Sequence, residues 1–198
     1  MKLKRTRLSI SLLLGLVAHT LAAYAESNVP AGLSFISPDG RYAVSLVETA
    51  AQWRYSIENI KTGQVDDSIV MPTVLLYLHW AANSQSIVAV EHIPKGSCGR
   101  VIYFQNGKWT DFEVRPPREE WIDSAVVGLQ IKSDHVHYKF AVRHVGSNGL
   151  PIDYNLCDLD VGLNGERISN VKWTPIKQGE FEGILAVKPS YDPPMESF

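Results

Sequence analysis

The stretch SFISPDGRYAVSLVETAAQWRYSIENIKTGQV, residues 34–65, decides how the chain folds. A polar turn at Ser37-Pro38-Asp39-Gly40 opens an alternating strand over 42–47. After a linker a second strand runs over 53–60, and Lys61-Thr62-Gly63 makes a tight turn. Proline presets the backbone of such a turn, aspartate bonds its own main chain, and glycine takes the left-handed position. Two strands framed by turn chemistry at both ends define a β-hairpin, and they name no reaction.

The frame recurs further on. Pro38-Asp39-Gly40 aligns with Ala82-Asn83-Ser84, Ala43-Val44 with Ile87-Val88, Ile60 with Phe104 and Gly63 with Gly107, all at a constant offset of 44 residues. This second unit starts with TVLLYLHW (73–80), the most apolar run beyond the N-terminus, and continues through strands at 86–91, 100–104 and 109–114. Asn106-Gly107 between the last two is a strong hairpin signal. A third, stretched unit has strands at 121–131, 136–145, 154–161 and 168–173, with turns at Ser133-Asp134-His135 and Leu163-Asn164-Gly165. A period of about 40–50 residues built from short strands is the scale of a propeller blade. No segment shows a sustained helical period.

Ser37-Pro38-Asp39-Gly40-Arg41, two strands and Lys61-Thr62-Gly63 together resemble the S-P-D-G-K/R…t-G repeat of TolB-like and WD40-like periplasmic β-propellers. The motif is well matched once. The second unit has Asn83-Ser84-Gln85 in its place, and the third keeps only Ser133-Asp134 and Asn164-Gly165. The resemblance implies a four-stranded blade per repeat and a platform for protein contacts, with loops that carry active sites in some members. A blade cannot bury both faces alone, and closed propellers take about 4–8 blades. Residues 26–185 have room for barely four short ones. The expected fold is therefore all-β, made of antiparallel meanders resembling propeller blades. Three outcomes stay open: a small or incomplete propeller, a barrel or sandwich, or a half-propeller that closes its ring as a homodimer. The units span about 34–72, 73–116 and 121–175 of a single domain, with 186–198 as a C-terminal tail.

Residues 1–25 read as a signal peptide. Lys2, Lys4, Arg5 and Arg7 precede an apolar segment too short for a membrane span, and Ala23-Tyr24-Ala25 gives the small-x-small cleavage pattern. This points to a periplasmic or secreted protein with no membrane span. The segment holds four of the 19 Lys and Arg and none of the 21 Asp and Glu, so the remaining 173 residues carry a net charge of -6. That balance argues against nucleic acid as a partner.

In an oxidising compartment Cys98 and Cys157 are expected to pair, tying the second unit to the third, and reduction should then lower the melting temperature. Function is sought in the loops, where a protein or glycan partner would bind. Lys95, Arg100, Trp109 and Trp121 are the candidate surface residues. His135 and His137 share one strand face and form a weak alternative metal pair; an ordinary cross-strand role suits them better. The chain shows no G-x-S-x-G elbow, phosphate loop or dinucleotide fingerprint, and no cofactor is expected. The sequence favours an exported noncatalytic binding or inhibitory module of the cell envelope. The alternative is a small hydrolase or metal-dependent enzyme whose site is assembled from distant residues.

Overall fold

The computed structural model describes residues 34–49, 52–71, 74–118, 122–164 and 168–193. The expected signal peptide at 1–25, Trp121 and Gly165 lie outside the described residues. Three four-stranded antiparallel meanders follow one another along the chain. The first is β1 (Ser34–Ile36), β2 (Tyr42–Glu48), β3 (Trp53–Asn59) and β4 (Gln64–Met71), paired in chain order. The second is β5 (Leu75–Trp80), β6 (Ser86–Ile93), β7 (Gly96–Gln105) and β8 (Lys108–Val114). The third is β9 (Ile122–Ile131), β10 (His135–Val145), β11 (Pro151–Gly162) and β12 (Ile168–Ile176).

The meanders pack face to face, and burial follows from that. One core cluster joins the first and second sheets through Val44, Leu46, Tyr55 and Ile57 against Leu75, Trp80, Ile87 and Ile102. The other joins the second and third through Tyr77, Val88, Val90 and Val101 against Tyr138, Phe140, Leu159 and Val161. The middle sheet is covered on both sides. This is why 73–80 reads as a continuous apolar run while 42–47 alternates. No core cluster links the first and third sheets, so among the described residues the stack is open, an incomplete propeller-like arrangement of three blades.

The second and third meanders meet edge to edge at one point, where Gly96 bridges Ser124 in parallel. Gly96 has φ +130°, and a Cβ there would lie 1.9 Å from the Ser124 carbonyl oxygen, so only glycine fits. The turns stack as well. Asp39 N–H donates to Ser84 Oγ of the next blade at 3.0 Å, and Ser86 Oγ donates to the Leu163 carbonyl of the third at 2.6 Å. Gly40 and Ser84 hold the same left-handed position, φ +71° and +56°, as Gly63 and Gly107 do at φ +68° and +80°.

Beyond β12 the chain departs from the expectation of strands and tail. Residues 178–185 form a helix, α1 (Gln178–Leu185), and β13 (Ser190–Asp192) pairs in parallel with β9. The helix is short, and Phe181 is its one buried residue, so it leaves no periodic trace in the sequence. No helix among the described residues is long and apolar enough to cross a membrane.

Candidate functional site

The outer face of the third meander carries two concavities among the described residues. Along β10 the inward residues Val136, Tyr138, Phe140 and Val142 enter the core, which turns His137, Lys139, Ala141 and Arg143 outward. α1 crosses this face, with Phe181 against the Tyr154 ring at a centroid distance of 5.0 Å. Its backbone start is held by the Lys177 N–H donating to Glu180 Oε2 at 2.7 Å. A groove remains on each side of the helix.

One groove, about 590 Å³, lies between α1, the 94–96 turn and the ends of β9 and β10. Its polar element is the cross-strand pair Arg143–Asp123, with Nε donating to Oδ2 at 3.0 Å. The other, about 840 Å³, runs past Gln130, His137, Lys139 and Asp158 toward Glu180 and Lys188. Leu156, Ile184 and Val187 give it apolar walls. His137 Nδ1 lies 2.8 Å from Asp160 Oδ1 and its Nε2 lies 3.5 Å from Asp158. Burial raises the Asp160 carboxyl, but hydrogen bonds from Asn170 and His137 outweigh this and hold it below the usual carboxylate range.

Of the residues singled out in the sequence, Lys95 lies exposed on the rim of the smaller groove and His137 lines the larger one. Arg100 and Trp109 are not surface residues, being 6% exposed each. Arg100 points into the space between the first two sheets. There its Nε and Nη2 donate to Glu91 at 2.8 and 3.0 Å, and the Tyr55 hydroxyl donates to the same carboxylate at 2.6 Å. Asp111 closes the network from β8. Trp109 sits in an aromatic cluster with Tyr42, Trp80 and Phe104 at centroid distances of 5.3, 5.8 and 5.3 Å.

The expected Cys98–Cys157 bond is not formed, since both thiols are free and buried. Burial, aided by Glu91 and Glu113, pushes the Cys98 thiol up to about 12, and burial does the same for Cys157. His135 and His137 turn to different carboxylates, Asp134 and Asp160. Among the described residues no three His, Cys, Asp or Glu side chains converge as metal ligands.

Sequence reasoning missed one buried histidine cluster. His144 is 2% exposed and stacks on Trp173 at 6.3 Å, with Asp153 on Nδ1. Arg118 covers the Trp173 ring at 4.2 Å and lies 2.8 Å from the His144 ring nitrogens. These partners hold the imidazole on both sides. No local signal announces this group, because its members come from four separate segments.

No protein-family model matches the sequence, and no curated protein matches it. Among solved structures the chain is similar to the β-propeller domain of the trilobed protease from Pyrococcus furiosus, described as having an open velcro topology. The identity there is 14% over 74% of this chain and 43% of that one, with a TM-score of 0.43. It is also similar to the AtxE2 isopeptidase in its apo form, at 11% identity over 79% of this chain and 30% of that one, TM-score 0.41. The chain spans less than half the length of either. The blade-like description therefore rests on the strand pairing and the two shared cores given above.

Proposed function

We propose that the chain is an exported, noncatalytic binding module that takes a polypeptide segment of a cell-envelope or secreted partner in the larger groove beside α1. The observation that carries this reading is the groove's make-up: apolar walls from Leu156, Ile184 and Val187, bordered by charges of both signs at Lys139, Asp158, Glu180 and Lys188. Apolar anchoring with polar edges is how protein surfaces receive a peptide. The chemistry around it favours binding over turnover. Both thiols are held protonated by burial, and the ring nitrogens of His137 and His144 are already engaged by carboxylates or arginine. The N-terminal charge-then-apolar pattern supports export, and the likeness to TolB-like repeats supports a contact platform.

The test is capture from envelope extract by the wild-type chain and by a K139E/D158K variant. A protein retained by the first and lost by the second is the expected result. Equal capture by both, or hydrolysis of a captured protein during incubation, would overturn the assignment of this groove to noncatalytic binding.

A further inference from the structure

Among the described residues the outer face of the first sheet is not covered like its counterpart. In the third sheet α1 crosses the outward surface; over the first, the described residues place no helix. Alternation turns Arg54, Ser56 and Glu58 of β3 away from the core, since Tyr55 and Ile57 point into it. Register adds Ile36 through its partner Ala43, Val65 opposite Glu58, and Val70 opposite Arg54. These three apolar residues are 62%, 54% and 36% exposed.

The charges identify the occupant. Arg54 and Glu58 flank Ser56, the midpoint of β3, two residues to either side. Consider two copies packed face to face on a two-fold axis lying in the interface. An axis running across β3 at Ser56 sets the two β3 strands antiparallel, so each Arg54 meets the other copy's Glu58. An axis along the strand would set like charges together. The face is thus self-complementary in one orientation, as an isologous contact requires. Head-to-tail stacking onto the third sheet of another copy is closed, because α1 lies there. The sheet measures roughly 23 by 19 Å from strand length and spacing, which places such a contact below the size of stable interfaces and in the weak, transient range.

We propose that this face is a two-fold interface between two copies of the chain, its register set by reciprocal Arg54–Glu58 pairs. Sedimentation velocity of the full chain tests it. The wild type should show a concentration-dependent monomer–dimer equilibrium that weakens with salt. R54E and E58R should each weaken dimerisation at least ten-fold. The R54E/E58R double variant, in which the pairs are exchanged, should return to within about three-fold of wild type. Far-ultraviolet circular dichroism matching wild type in each single variant separates lost pairing from lost folding. A wild type that stays monomeric at all concentrations would overturn the proposal and leave the face to another protein or to residues 26–33. A dimer that the single reversals leave unchanged would overturn it too.

Discussion

Glu91 has no solvent exposure, yet it places a carboxyl group between two sheets. Arg100 and the Tyr55 hydroxyl balance it, and the three residues come from three strands. A buried pair of this kind adds little net stability over an apolar substitute, but removing one partner leaves the other stranded. E91A should therefore cost about 3–5 kcal/mol in urea unfolding, and Y55F, which loses one hydrogen bond to a charged group, about 1.5–3 kcal/mol. Asp39 shows the opposite setting, at the surface. Desolvation raises its carboxyl, but the Arg41 N–H, the Ser37 hydroxyl and the Arg41 guanidinium together outweigh it and hold it at about 2. An unfolded aspartate titrates near ~3.9. The stability this turn contributes is then present above about pH 4 and is lost as pH falls toward 2. Acid titration of unfolding should show D39N to be less sensitive than wild type in that window. For the cysteines, thiols pushed up to about 12 remain protonated at neutral pH. Iodoacetamide should label neither Cys98 nor Cys157 in the native chain and both in urea, and reducing agent should leave the melting temperature unchanged. At this scale the sequence disclosed turn residues well, since their role is local. It did not disclose Arg100, whose carboxylate partner is nine residues away and is itself bonded by a tyrosine 36 residues from it.

Among the elements, α1 and β13 are ones the sequence concealed. Gly179 and Gly183 lie in open space on the exposed side of α1, and only Phe181 anchors it. A helix of one anchor and two glycines is sustained by docking rather than by propensity. F181A should cost about 3 kcal/mol and should speed amide exchange over 178–192 well beyond its effect on β6. Loss of the helix would merge the two grooves, so the same variant checks the site's dependence on it. The strands were legible because their turns were. Gly63 and Gly107 sit at corresponding left-handed positions, and Ser84 takes the conformation that Gly40 has in the first blade. The Asn83-Ser84 departure from Asp-Gly thus changes the residue and keeps the turn. The two grooves were hidden for a different reason. Each needs α1 laid over segments from far earlier in the chain, Pro94–Gly96 and Asp123 for one and Val127–Gln130 for the other.

The whole molecule is a stack in which the second blade is shared by two cores. Neither terminal blade buries both faces against another sheet, so stability is cooperative across the set and is concentrated in the middle. The central claim is this double burial. Its most direct measurement is native-state amide hydrogen exchange followed by mass spectrometry. The account predicts the slowest exchange in β6 and β7, residues 86–105, with faster exchange in β2 and β3 of the first blade. Exchange over 86–105 as fast as over 42–59 would contradict it.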